Sequence, residues 1–149
     1  MSAEPQTDSA STLYLTRTFH APPERVFDAW TREEHRLRWA CPQGAILESA
    51  ASDLRVGGRH RLVMKVEGGS HTAYGEYREV APPHRLVYTW DWEEEDQRMG
   101  ETLVTVEFVP VAEGTEVRLT HSGFPDRHST EGHGQGWQSC LTRLETLLA

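Results

Sequence analysis

The feature of this sequence that most constrains its fold is a long amphipathic helix at the C-terminal end, which follows about eighty residues of short strands and turns. Apolar side chains recur in this last segment with the spacing of one helical face. They are Trp137, Cys140, Leu141, Leu144, Leu147 and Leu148. Burial of each large side chain contributes roughly 1.5–3 kcal/mol, so this face approaches the net stability of a whole domain, about 5–15 kcal/mol. The helix must therefore pack on the sheet that the preceding strands form.

The segment from Gly44 to Ser122 is predicted to be a meander of six antiparallel strands. Turn residues recur along it, and apolar side chains alternate with polar ones between the turns. Leu62 and Met64, for example, lie on one face, and Arg61 and Lys65 on the other. One face of the sheet is therefore expected to meet water and the other to meet the C-terminal helix. We expect that helix to begin between residues 126 and 134, because three glycines weaken its start.

A first strand and two short helices are predicted before the meander. Residues 13–19 alternate with a period of two, and Pro22-Pro23 ends that strand and begins a helix. Thr31-Arg32-Glu33-Glu34 matches a capping box, in which the threonine hydroxyl and the second glutamate would each bond a free backbone N–H. The pattern predicts a second short helix at residues 32–39.

Length and charge limit the classes of partner. The 149 residues indicate one domain, residues 12–149, after a polar tail, residues 1–11, that is expected to be disordered. A net charge of −8 disfavours nucleic acid as a partner, and no apolar run is long enough for membrane insertion. Cys41 and Cys140 are far apart in sequence and form no C-x-x-C motif, which favours a reduced, cytoplasmic protein. The oligomeric state stays open.

Five stretches carry a resemblance to a known family. They are Ala21-Pro22-Pro23-Glu24-Arg25-Val26-Phe27-Asp28-Ala29-Trp30, Asp53-Leu54-Arg55-Val56-Gly57-Gly58-Arg59, Gly75-Glu76-Tyr77-Arg78-Glu79-Val80, Arg85-Leu86-Val87-Tyr88-Thr89-Trp90 and His133-Gly134-Gln135-Gly136-Trp137. With their order, they make the chain similar to the AHSA branch (activator of heat shock protein 90 ATPase homologues) of the START-like, or SRPBCC, superfamily. The resemblance implies an α+β helix-grip fold, in which a curved antiparallel sheet wraps around a long C-terminal helix.

The same resemblance favours a cavity between the sheet and the terminal helix. Aromatic walls with a few polar groups are typical of pockets for small apolar molecules. The candidate lining residues are Trp39, His60, Met64, Tyr77, Tyr88, Trp90, His121, Phe124, His133 and Trp137. The first hypothesis is a carrier or sensor that binds a small hydrophobic molecule, such as a lipid, through an opening near residues 124–137. Ordinary core packing is the alternative for each residue taken singly.

The sequence is compatible with two other functions. One is a protein-interaction module, for which the resemblance implies a link to chaperones, that docks a protein partner through the sheet or a hairpin tip. The other, also implied by the resemblance to this superfamily, is a cyclase-like or aromatase-like enzyme, with His60 or His121 as base and Tyr77 or Tyr88 as proton donor. No catalytic set is predicted, because no nucleophile motif or pair of inward carboxylates occurs. No cofactor is predicted either, and the histidine trio His121, His128 and His133 has the wrong spacing for a metal site.

Overall fold

A computed structural model describes residues 6–9 and 11–149, and the elements below are those of the described residues. The strands are β1 (Gln6–Ser9), β2 (Thr12–Phe19), β3 (Ile46–Ser52), β4 (Arg59–Val66), β5 (Gly69–Ala81), β6 (Arg85–Trp92), β7 (Thr102–Val111) and β8 (Gly114–Ser122). The helices are α1 (Pro23–Thr31), α2 (Glu33–Arg36) and α3 (Arg127–Leu148), and a short 3₁₀ turn lies at Glu95–Gln97.

All the strands join one antiparallel sheet, in the order β1-β2-β8-β7-β6-β5-β4-β3. The meander from β3 to β8 pairs each strand with the next along the chain, and β2 closes against β8. The inner face carries the apolar side chains that the alternation predicts, and α3 lies against it. The predicted α+β helix-grip architecture, with six strands after residue 44, is confirmed.

Helix α3 begins at the early limit of its predicted range. The carboxylate of Asp126 accepts a hydrogen bond from the Ser129 N–H at 2.8 Å, which caps the first turn. The three glycines therefore lie inside the helix, where the cap and the buried face outweigh their low helix propensity. The buried residues of α3 are Thr130, Gly134, Trp137, Cys140, Leu141, Leu144 and Leu148. This set contains most of the apolar stripe, with Leu147 partly buried beside it.

The predicted capping box at Thr31 is wrong. Thr31 is the last residue of α1, and its hydroxyl donates to the Phe27 carbonyl oxygen at 2.9 Å, one turn back. Helix α2 instead begins after Arg32, without a side-chain cap, and spans only Glu33–Arg36. The hydroxyl could not serve both ends, because a threonine within a helix bonds readily to the carbonyl four residues earlier.

The predicted disorder of the first eleven residues does not hold for residues 6–9. These residues form β1, which pairs antiparallel with the start of β2. Strand pairing uses the backbone, so a polar segment without an apolar pattern can still extend a sheet edge. The prediction does not hold for Ser11 either, since its carbonyl oxygen accepts from the Gly123 N–H at 3.1 Å. Residues 1–5 and 10 of the predicted tail lie outside the described residues.

No helix among the described residues is both long and apolar enough to cross a membrane.

Candidate functional site

A cavity of about 570 Å³ lies between the sheet, helix α3 and the segment that contains α1 and α2. Its sheet wall comes from β4 and β6, and its opposite wall comes from the 30–42 segment and from α3. The lining residues deepest in the fold are Trp30, Arg36, Trp39, Leu62, Met64, Tyr88, Trp90, Trp137 and Cys140, all of them buried. This volume is within the range of pockets that hold small organic molecules, about 300–1,000 Å³.

All five tryptophans of the chain line this cavity. They are Trp30, Trp39, Trp90, Trp92 and Trp137. The indole of Trp30 lies nearly parallel to that of Trp137, with ring centroids 6.0 Å apart. The ring centroid of Trp90 lies 6.0 Å from that of Trp137, and it lies 5.5 Å from that of Trp92, which packs edge to face. The indoles thus pack on one another and together form much of the cavity wall.

The mouth of the cavity is formed by the β6–β7 connection on one side and the start of α3 on the other. The exposed lining residues there are Asp96, Gln97, Arg98, Pro125, Asp126, His128 and Gly132. The connection is held in place by the buried Asp91, whose carboxylate accepts from the Met99 N–H at 2.8 Å. Glu94 also accepts from the Thr72 N–H at 2.9 Å. This acidic connection is therefore part of the opening, in addition to the predicted 124–137 segment.

His121 lies at the centre of a hydrogen-bond chain behind the cavity wall. The Thr102 hydroxyl donates to the Trp90 carbonyl oxygen, so it accepts from His121 Nε2–H at 2.8 Å. His121 Nδ1 then accepts from Trp137 Nε1–H at 3.1 Å. Burial, with the neighbouring His133, holds the pKa of His121 well below its ordinary value. His121 is therefore a neutral ring that orients Trp137, with no nitrogen free to act as a base.

His133 on α3 lines the cavity and is bonded through both nitrogens as well. Its Nδ1–H donates to the Ser129 carbonyl oxygen at 2.9 Å, and its Nε2 accepts from Trp92 Nε1–H at 3.1 Å. Burial lowers the pKa of His133. This ring fixes the indole of Trp92 at the cavity wall, much as His121 fixes that of Trp137.

His60 on β4 lies over Gly75 of β5, and its Nε2–H donates to the Thr89 carbonyl oxygen at 2.9 Å. A Cβ at position 75 would lie 1.9 Å from the Thr89 oxygen and 2.6 Å from His60 Nε2, so only glycine leaves room for this ring. Burial lowers the pKa of His60 to about 4, and the positive charge of Arg36 makes a smaller contribution in the same direction. The imidazole packs edge to face on the ring of Tyr88, with centroids 4.9 Å apart. It is a neutral support beneath the cavity wall.

Six of the candidate lining residues border the cavity: Trp39, Met64, Tyr88, Trp90, His133 and Trp137. The other four, His60, Tyr77, His121 and Phe124, are buried directly behind them. Tyr77 packs against His60, with ring centroids 5.6 Å apart, and Phe124 packs against His121, with ring centroids 4.3 Å apart. Strand alternation gives the face of a side chain but not its depth, so it could not separate wall residues from the layer behind them.

Sequence reasoning missed several lining residues, among them Trp30, Trp92, Arg36 and Cys140. Trp30 and Trp92 are large apolar residues of α1 and β6, and counting the inward tryptophans would have found them. The burial of Arg36 had no signal, because a helix of four residues has no periodic stripe. Burial, with the nearby Cys41, raises the pKa of Cys140 to about 12, so this thiol is protonated at neutral pH and a poor nucleophile.

The histidine trio does not converge on a point. The rings of His121 and His133 are 5.5 Å apart, but His128 is exposed at the cavity mouth. Among the described residues, no group of three histidine, cysteine or carboxylate side chains could hold a metal ion.

Comparisons with known proteins agree with this architecture. A solved structure of a protein from Chromobacterium violaceum is similar, with a TM-score of 0.85 and 28% sequence identity, over 93% of this chain and 96% of that chain. The AHSA1 protein from Silicibacter pomeroyi has a TM-score of 0.82 and 29% identity, over 93% of this chain and 97% of that chain. A comparison with curated proteins found no match. The family model described as "Activator of Hsp90 ATPase homolog 1-like protein" matches residues 20–149, and the chain belongs to this family.

Proposed function

We propose that this protein binds a small, largely apolar molecule in the cavity between the sheet and α3, as a carrier or sensor. The observation that carries the proposal is a space of about 570 Å³ walled by every tryptophan of the chain. Aromatic walls supply affinity through buried apolar area, and the few polar groups among them fix the orientation of a guest. The location of the protein in the cytoplasm is part of the same proposal, supported by two buried free cysteines.

The enzyme alternative has less support from the geometry. His60 and His121, the candidate bases, do not border the cavity, and burial lowers the pKa of each. His133 does border it, but both of its nitrogens are occupied by hydrogen bonds. A general base needs a free lone pair within reach of the substrate proton. Binding without turnover accounts better for this arrangement.

The protein-interaction alternative also has less support. The large apolar side chains that are exposed among the described residues are Leu37, Ile46, Leu54 and Val56. Single exposed apolar residues are normal on protein surfaces and do not by themselves mark an interface. An open cavity, by contrast, has no role in a module that docks through its outer surface.

We expect a thermal-shift screen of aromatic compounds and lipids to find stabilising molecules. A compound present at one hundred times its Kd stabilises the folded state by about 2.7 kcal/mol. For a domain of this size that corresponds to a rise in Tm of about 5–11 °C. A broad screen without any such rise would contradict the proposal.

Position 132 offers a pair of variants that tests where the compound binds. Gly132 lies on α3 at the cavity mouth, and a Cβ there would meet no atom within 4 Å. Gly132→Phe should obstruct the cavity and weaken binding at least tenfold in a calorimetric titration. Gly132→Ala is the matched control: it should bind as the parent does and be more stable by about 0.5–1 kcal/mol, because alanine favours the helix. Equal binding by both variants would place the compound elsewhere.

A further inference from the structure

The cavity contains a buried positive charge that has no counter-charge among the described residues. Arg36, the last residue of α2, lines the cavity and is only 4% exposed. Its Nε and Nη1 atoms are buried and make no hydrogen bond to any residue that the structure describes. Within the described part of the chain, Arg36 takes part in none of the ion pairs. Buried charges in proteins are normally paired, because an uncompensated one is costly.

Two neighbouring groups on the cavity wall are also hydrogen-bond donors without an acceptor. Trp90 Nε1–H is buried and makes no hydrogen bond among the described residues. The Tyr88 hydroxyl accepts from Trp30 Nε1–H at 3.3 Å, and no acceptor for its own hydrogen occurs among the described residues. Burial raises the pKa of Tyr88, so this hydroxyl keeps its proton at neutral pH. Among the described residues that line the cavity, the unpaired buried side-chain atoms are therefore donors, and what they lack is an acceptor.

The positive charge of Arg36 affects the pKa of two neighbouring rings. It lowers the pKa of His60, after the larger effect of burial, and it opposes the rise in the pKa of Tyr88. Both rings lie next to each other, with centroids 4.9 Å apart. The positive potential is thus centred where β4 and β6 face α2.

The other charged lining groups are at the mouth. Asp96 and Asp126 could repel an anion there, and Arg98 could attract one, but all three side chains are exposed. Water and salt screen exposed charges, whereas a charge in a buried, low-dielectric site acts several times more strongly over the same distance. The buried guanidinium therefore decides the electrostatic preference of the interior, despite a net charge of −8 for the whole chain.

We infer that the molecule bound in this cavity is an apolar acid whose carboxylate pairs with Arg36 and accepts from Trp90 or Tyr88. The inference rests on the proposed function and specifies its ligand class. A guanidinium matches a carboxylate with two parallel N–H···O bonds, and burial strengthens such charge-assisted bonds. The apolar part of the ligand lies against the tryptophan walls, and its acid group points towards α2.

The test compares acids with neutral molecules of nearly the same shape. The probes are 2-naphthoic acid with 2-naphthamide, and dodecanoic acid with 1-dodecanol, titrated into the full chain at pH 7.5 by calorimetry. We expect at least one acid to bind ten times or more tightly than its neutral counterpart, the size expected for a charge-assisted bond to a buried partner. Equal affinities within both pairs would overturn the inference and leave the proposed function standing. Failure of all four probes to bind would count against both.

Variants at position 36 assign the preference to this side chain. Arg36→Met should remove the preference for the acid while the neutral compound still binds, and the protein should fold, because apolar replacement of an unpaired buried charge is tolerated well. Arg36→Lys, which keeps the charge but not the planar fork, should retain part of the preference. Arg38→Met is the matched control, since this arginine is exposed and does not line the cavity. An acid preference that survives in Arg36→Met would overturn the assignment, and the comparison in the parent protein stands even if a variant fails to fold.

Discussion

Replacement of Leu144 by alanine should lower the free energy of unfolding by about 2–5 kcal/mol, the cost of removing a fully buried leucine side chain. Leu144 has no exposed surface and belongs to the face of α3 that packs on the sheet. Because the net stability of a domain is about 5–15 kcal/mol, this single change should remove a large fraction of it. Urea denaturation followed by far-UV circular dichroism measures the loss directly.

Leu147→Ala provides the matched control for that experiment. Leu147 is the same residue type on the same helix, but it is only partly buried at the edge of the core. Leu147→Ala should lower the free energy of unfolding by less than half as much as the change at Leu144, since less apolar surface returns to water. Similar, small losses of unfolding free energy at both positions would show that the buried face of α3 contributes little to the stability of the core.

Mild acid should destabilise the protein before its carboxylates are protonated. Burial lowers the pKa of His60 to about 4, and it also depresses the pKa of His121 and His133. An unfolded histidine has a pKa near 6.5, so below that pH the unfolded chain binds more protons than the folded one. Stability is therefore complete above pH 6.5 and falls as the pH is lowered towards the folded-state values.

The size of this effect follows from His60. Each pH unit below 6.5 costs about 1.4 kcal/mol per depressed imidazole, so His60 alone removes about 2 kcal/mol between pH 6.5 and pH 5. His121 and His133 act in the same direction. Urea midpoints measured from pH 7.5 to pH 5 should fall accordingly, and His60→Gln, whose amide can still donate to Thr89, should show a shallower fall. A midpoint that stays constant over this range would contradict the buried, neutral state of these rings.

The parts of the structure that follow from side-chain periodicity were predictable from the sequence. The strand alternation and the stripe on α3 come from the burial of one face, which needs no knowledge of the partner element. The beginning of α3 was less predictable, because the cap at Asp126 competes with three glycines and only the packed helix decides between them. The hydroxyl of Thr31 could accept from the Glu34 N–H, as in a capping box, or donate to the Phe27 carbonyl oxygen. The sequence spacing favoured the first, and the structure shows the second.

The candidate site was predictable only in its general character. Inward aromatic residues were identifiable from alternation, but whether a ring lines the cavity or supports the wall depends on three-dimensional depth. The partners of His121 come from β7 and α3, which are remote in sequence. Arg36 is the clearest case: the nearby charged residues Glu34 and Arg38 are exposed, and only the fold places the Arg36 guanidinium inside.

The concentration of all five indoles around one space gives the protein a built-in optical reporter. A guest in that space touches or adjoins every strongly fluorescent side chain of the chain, so its arrival must alter the emission intensity and colour of the whole molecule. The indoles of Trp92 and Trp137 are fixed by their histidine partners, which also predicts a sharply structured near-ultraviolet dichroism spectrum. Occupancy can therefore be followed in the unmodified protein, without a dye or a tag.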